Sequence, residues 1–311
     1  MSEPGPVVCI VGPTASGKSS LADALAVSLD SAQVSIDAMQ VYRGMDIGTA
    51  KTPVAERACE LMMVDVCDVG DDYSVRLFQR DARQCVDALL ARGRTPVLCG
   101  GTGLYLDAVI DEMDFPAGRT GSEARERYEA IASERGPEAL HELLRERDPA
   151  SADLIHPNNV RRVVRALEML DEGVSYAVKH EGLKRRAPHY DALIFGITMD
   201  RERLYARIDA RVDAMVEAGL VDEVRGLVGQ GLAGALTSMQ AIGYKEVVAY
   251  LDGTLTLDEA IDEVKRRSRR YAKRQLSWFR RDGRVRWLDY DRLDEAQAAK
   301  MVLAALDERK V

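Results

Sequence analysis

Apolar residues in this chain follow two periods that take turns along its length. Short unbroken apolar runs, PVVCIV (residues 6–11), the start of TPVLCGGTGLYLDAVI (95–110) and ALIFGITMD (192–200), have the length and β-branched content of strands buried on both faces. Between them, apolar positions recur every three or four residues. Leucines at 21, 25 and 29 predict a helix over residues 19–29, and VRLFQRDARQCVDALLARG predicts one over residues 75–93 that stops on a glycine. AQVSIDAMQVY reads as a second strand running into a loop at Asp37, and RVRWLDYD as a last strand before a terminal helix. Strands alternating with helices in this way build a parallel sheet covered on both faces, an α/β fold.

The pattern changes between about residues 115 and 188, which are almost wholly helical and charged. EARERYEAIASERG, ALHELLRERDP and NNVRRVVRALEMLDEG are separable helices there. We expect a core formed by residues 1–116 and 189–311, with residues 117–188 inserted as an all-helical lobe. Residues 201–228 read as a long helical stretch with a break around Gly219. Thr256 and Glu259 have capping-box spacing and open a long basic helix.

Composition narrows the setting. A chain of 311 residues with 46% hydrophobic content can bury a full core. Its five cysteines form no C-x-x-C pair, which favours buried thiols in a reducing compartment over zinc ligands or disulfides. Neither a signal-like leader nor a run long enough for a membrane span is evident, so a soluble cytoplasmic protein is expected. The net charge is −8, yet KRRSRRYAKRQLSWFRRDGRVR (265–286) holds 11 of the 43 Lys and Arg residues beside one acid. Such a run is either a solvated helix face or a footprint for a phosphate backbone. Tyr271, Trp278 and Phe279 interleave with the arginines and offer stacking surfaces, which favours RNA.

The chemistry-bearing motif is GPTASGKSS, from Gly12 to Ser20, which matches G-x-x-x-x-G-K-[ST] between a strand and a helix. In it Gly12 and Gly17 would let backbone N–H groups of the loop Gly12, Pro13, Thr14, Ala15, Ser16 and Gly17 converge on an anion, Lys18 would add a point charge, and Ser19 would hold Mg²⁺. Any phosphate chain satisfies such a cradle. A kinase or NTPase would also show an apolar strand ending in a magnesium-ordering aspartate, and LMMVD, ending at Asp65, has that form. The cradle, the second glycine turn GGTGLY and Asp37 all fall at carboxyl ends of strands, where open α/β sheets bind ligands.

Six stretches, GPTASGKS, DAMQVYRGMDIGTAK, GGTGLY, HPNNVRRVVRALE, QAIGYKE and AKRQLSWFR, occur in family order across roughly residues 7–287, and together they resemble the tRNA dimethylallyltransferases. The resemblance implies a P-loop NTPase-like core whose loop holds the diphosphate of dimethylallyl diphosphate, with no NTP hydrolysed. It implies transfer of the dimethylallyl group to N6 of the adenine 3′-adjacent to the anticodon, and a helical insertion that grips the tRNA anticodon stem-loop. Asp37 would serve as general base or orienting acceptor, although Asp is equally common as a turn cap. Thr102 would donate toward the bridging oxygen or the amine, and a helix cap would look the same. Lys18 would stabilise the leaving diphosphate. The implied tRNA contacts are Asp37, Ala38, Met39, Gln40, Thr102, Arg125, Arg161, Arg162, Val163, Val164, Arg165, Gln240, Ala241, Ile242, Gly243, Tyr244, Lys245, Lys273, Arg274, Gln275, Trp278 and Arg280. Arg207 and Arg211, one helical turn apart, either reach the diphosphate or pair with Asp209 and Asp213.

The chain departs from the family in carrying Ala38 where Ser is common, and CELMMVDV where a Pro-His-His run is usual. It also stops before any zinc-finger extension, so the bacterial, monomeric type is expected. Two rival enzymes remain: a P-loop small-molecule or nucleotide kinase, and a prenyltransferase acting on free adenine nucleotides. The second would have little use for the helical insertion and the arginine-rich helix.

Overall fold

Every residue of the first strand, β1 (Val7–Val11), is buried, and its side chains divide by parity. Val7, Cys9 and Val11 enter one apolar cluster and Val8 and Ile10 another, as happens when both faces of a sheet are covered. The computed structural model describes residues 5–115, 123–182 and 187–310. In it β1 feeds a glycine loop and then α1 (Lys18–Ser28), followed by β2 (Gln33–Ser35), β3 (Leu61–Met62), α2 (Val75–Leu90), β4 (Val97–Gly100) and α3 (Gly103–Ile110). After the helical insertion come β5 (Ala192–Thr198), α8 (Arg201–Glu217), α9 (Leu220–Val228), α10 (Tyr244–Leu251), α11 (Leu257–Phe279), β6 (Arg286–Asp289) and α12 (Glu295–Lys310).

The six strands pair in the order β3-β2-β4-β1-β5-β6, all parallel. This is a P-loop NTPase-like α/β core, as expected. Apolar stripes on α2 and α3 cover one face (Phe78, Ala82, Val86, Leu106, Val109), and those of α1 and α12 cover the other (Leu21, Leu25, Val302, Leu306). Two strands are shorter than their apolar runs. β2 ends at Ser35 because Asp37 Oδ1 accepts from the Met39 amide at 2.9 Å, an Asx turn that bends the chain before Gln40. β3 stops after Met62 because Met63 and Asp65 have φ of 62° and 56°.

The stretch after Asp37 is held from two sides. Lys51, almost fully buried, donates to Asp46 and Asp65 at 2.6 Å each and to the Tyr42 carbonyl at 3.0 Å. From α9, the Glu223 carboxylate accepts the amides of Asp46, Ile47 and Gly48 at 3.0, 2.7 and 3.1 Å, and the Tyr244 hydroxyl at 2.6 Å. The long helical stretch breaks where expected, with Gly219 at φ 101° capping α9. Thr256 and Glu259 form the capping box of α11, each accepting from the other's amide.

Asp111–Ala187 forms a second compact unit. The expected boundary at residues 116–117 lies outside the described residues. The unit holds α4 (Glu123–Arg147), broken at Gly136 (φ 85°) before Pro137, then α5 (Pro149–Leu154), α6 (Val160–Asp171) and α7 (Tyr176–Gly182). Its core is Tyr128, Leu140, Leu144, Val163, Val164 and Leu167. The Tyr128 hydroxyl donates to Asp171 at 2.8 Å and accepts from Arg147 at 2.6 Å.

Replacing Glu223 by Ala leaves three amides and a buried phenol without their acceptor. Hydrogen bonds to a charged group contribute roughly 1.5–3 kcal/mol each, and their losses overlap, so we expect about 3 kcal/mol less stability in urea unfolding. Glu223→Gln should lose about half of that.

Candidate active site

The loop after β1 is shaped to receive an anion. Gly12 (φ 154°) and Gly17 (φ 94°) turn the backbone, and Gly17 leads directly into the first turn of α1, whose amides have no acceptor within the helix. The Ser16 hydroxyl is buried at the base of the loop with no hydrogen-bond partner among the described residues. Lys18 Nζ donates to the Pro13 carbonyl at 3.3 Å. Burial pushes its pKa below the ordinary lysine value, so its charge is poorly solvated and gains from a bound anion.

Two arginines of α8 complete this wall. Arg207 Nε donates to the Ala15 carbonyl at 2.7 Å, and Arg211, one turn on, joins it in lining a hollow with Gly17, Lys18 and Ser19. Burial lowers the pKa of Arg211, and the charge of Asp37 opposes that shift. The pairing of these arginines with Asp209 and Asp213 does not occur. Those acids face α11 and take its Arg269 and Lys265 instead.

The cavity, about 410 Å³, reaches from Lys18 and Ser19 to Asp37, and on to an apolar wall of Ile208, Val212 and Met215. Thr102 does two jobs at once. Its carbonyl accepts the Tyr105 and Leu106 amides at 2.9 and 3.1 Å, opening α3, while its Oγ1 accepts the Ala38 amide at 3.2 Å, beside Asp37. Tyr271 of α11 also lines the cavity. Burial, with the Asp37 charge adding to it, pushes its phenol up to about 12, so it stays a hydrogen-bond donor at neutral pH.

The second glycine turn is where α11 packs. A Cβ on Gly101 would lie 2.0 Å from Gln275 Nε2, and one on Gly103 would lie 2.1 Å from the Trp278 ring. Both partners belong to α11, which seats on the turn.

The model of the family described as IPP transferase matches residues 40–282. The chain is 46% identical, over 91% of either chain, to a tRNA dimethylallyltransferase of Carboxydothermus hydrogenoformans. It is 42% identical to that of Desulforudis audaxviator, over 99% of this chain and all of the other. This chain belongs to the IPP transferase family. Among solved structures it is similar to the tRNA isopentenylpyrophosphate transferase of Bacillus halodurans, with TM-score 0.72 and 42% identity over 99% of this chain and 98% of that one. It is also similar to a eukaryotic dimethylallyltransferase acting on tRNA, with TM-score 0.81 and 27% identity over 98% of this chain and 79% of that one.

In this IPP transferase chain the residues expected at RNA divide by exposure. Arg161, Arg162, Gln240, Lys245, Lys273, Arg274 and Arg280 are exposed, and Ala38, Met39, Gln40, Arg165 and Ile242 are half-buried. Val163 and Val164 are fully buried in the core of the helical unit, because α6 turns its valines inward and its arginines outward. Ala241, Gly243 and Tyr244 are likewise buried, Tyr244 being held by Glu223. Arg125 makes a two-point ion pair with buried Glu168, at 3.1 and 2.8 Å. Trp278 donates its indole N–H to Asp107 at 3.2 Å and keeps 36% of its surface exposed. Gln275 is buried against both glycine turns.

The basic run is likewise two populations. Lys265, Arg266, Arg267 and Arg269 are held by Asp213, Glu263 and Asp209. Arg270, Lys273, Arg274, Arg280 and Arg281 are exposed, and none of them takes part in an ion pair among the described residues. The sequence alone missed Glu223 and Lys51, whose acidic and basic letters look like ordinary surface charge.

Thr102→Val removes the acceptor of the Ala38 amide. We expect a loss of about 1 kcal/mol in thermal or urea unfolding, with Thr102→Ser close to wild type.

Proposed function

We propose that the protein transfers the dimethylallyl group of dimethylallyl diphosphate to N6 of the adenine 3′-adjacent to the anticodon in tRNA, releasing diphosphate. What carries this reading is one cavity lined together by the phosphate cradle, the carboxylate of Asp37 and an apolar wall. A kinase needs a second acid near the cradle to order its metal. Asp65, the residue with that sequence pattern, is instead taken by Lys51 at 2.6 Å. The exposed cations of α11 favour RNA over a free nucleotide.

In the reaction the adenine leaves its stack and N6 attacks C1 of the prenyl group, forming the N–C bond as the C1–O bond breaks with its electrons going to the diphosphate. Asp37 accepts the hydrogen of N6 and then its proton. The first-turn amides of α1, Lys18 and Arg211 meet the charge that grows on the diphosphate. The chain's own oxygens fit Mg²⁺, which takes few protein ligands beside substrate phosphate oxygens: the Ser19 hydroxyl sits exposed at the start of α1. When bound there it would supply charge neutralisation to the leaving group. The wall of Ile208, Val212 and Met215 excludes water from the allylic carbon and suits a branched hydrocarbon. Among the described residues no helix is long and apolar enough to cross a membrane. We read the protein as a cytoplasmic monomer.

The test is incubation with dimethylallyl diphosphate, Mg²⁺ and either an unmodified anticodon stem-loop or AMP. The stem-loop should gain the mass of one dimethylallyl group, and a gain on AMP alone would overturn the RNA assignment. Asp37→Ala should lower kcat by at least about 10²-fold, the scale of a general base, with stem-loop affinity within a few-fold. Neutralising Lys273, Arg274 and Arg280 together should flatten the dependence of log K on log salt by roughly 0.7 per lost contact. The same change at Arg266, Arg267 and Arg269 should leave the slope nearly unaltered.

A further inference from the structure

Gln275 sits in the middle of the basic helix, between exposed Arg274 and the half-buried Leu276, yet only 5% of its own surface is exposed. Both ends of its amide are used, and on different loops. Its Oε1 accepts the amide of Thr14, inside the phosphate loop, at 2.9 Å, and its Nε2 donates to the carbonyl of Gly101, in the second glycine turn, at 3.0 Å. A glutamine amide offers an acceptor and a donor side by side at this reach without a charge. The turn is built to admit it, since any side chain at 101 would occupy the position of Nε2, 2.0 Å away.

The Thr14 amide is thereby withdrawn from the set that can face an anion. Its direction is set by α11, 261 residues away in sequence, rather than by the loop itself. The loop on either side of that anchor is held too, because the Ser16 amide donates back to the Pro13 carbonyl at 3.3 Å, across Thr14, and Arg207 donates to the Ala15 carbonyl at 2.7 Å. The loop is thus clamped at two points by two helices, α11 at the Thr14 amide and α8 at the Ala15 carbonyl.

We propose that Gln275 is a positioning residue for the prenyl donor: it sets the phosphate loop in its diphosphate-binding shape and does not contact RNA. This rests on the reading that the loop binds the donor's diphosphate. Without the clamp the Thr14 peptide is free to turn, and the loop must be ordered at the expense of donor affinity. The reacting atoms stay served by Asp37 and Thr102, which Gln275 does not touch.

The test uses the full chain and two variants, Gln275→Met, which keeps length but neither hydrogen bond, and Gly101→Ala, which keeps Gln275 but displaces its amide. Inorganic pyrophosphate with Mg²⁺ is titrated calorimetrically, and steady-state prenylation of the stem-loop is measured alongside stem-loop affinity. Both variants should weaken pyrophosphate binding and raise KM for the donor about tenfold, with kcat and stem-loop affinity within about threefold. Combined, they should cost little more than either alone, because both break one contact. Unchanged pyrophosphate affinity in both variants, additive losses, or a fall in stem-loop affinity instead would overturn the proposal. Failure of the wild-type chain to bind pyrophosphate would overturn the donor reading beneath it.

Discussion

The site depends on how closely one helix can approach two loops. α11 lies against the turn at Gly101 and Gly103 with a glutamine amide and an indole ring where ordinary side chains would have a Cβ, 2.0 and 2.1 Å away. That absence of atoms brings Gln275 within hydrogen-bonding distance of the phosphate loop and Tyr271 into the cavity beside Asp37. Overpacking of a close contact is relieved by moving one of the partners, and at Gly101 the atom in the way is the far end of the Gln275 side chain, so a methyl group there would push the amide off both loops. The glycines of the second turn therefore act on the chemistry at one remove, through what they allow to pack.

The fold was legible because its signals are local. Parity in β1, leucine spacing in α1 and the glycine at 219 each act within a few residues, and each appears in the structure where the sequence put it. The cradle and Asp37 were legible for the same reason, being contiguous motifs at strand ends. What the sequence obscured was direction. Val163 and Val164 sit in a motif that reads as RNA-facing, yet a helix presents its valines and arginines on opposite sides, and only packing decides which side is which. Gln275 looked like one more polar letter in a basic helix. Its partners lie 261 and 174 residues away, and no local pattern encodes such a pairing.

Charge follows a comparable logic. Asp209 and Asp213, on the side of α8 that meets α11, take Arg269 and Lys265. This leaves Arg207 free to hold the phosphate loop at Ala15 and Arg211 to line the cavity near Asp37. The first half of the basic run thus secures helix against helix, and its surplus charge begins only at Arg270. A count of basic letters overstates the surface field, because ion pairs at short range cancel most of what a distant phosphate would feel.

The cap at residues 46–48 has a consequence for selectivity among solutes. Three successive amides pointing at one spot make a concavity that would welcome sulfate or phosphate. Glu223 fills it with a carboxylate of the protein's own, fastened further by Tyr244. That hollow is thus closed to the inorganic anions of the cell by a resident counter-ion, whereas the first turn of α1 carries no acid of its own.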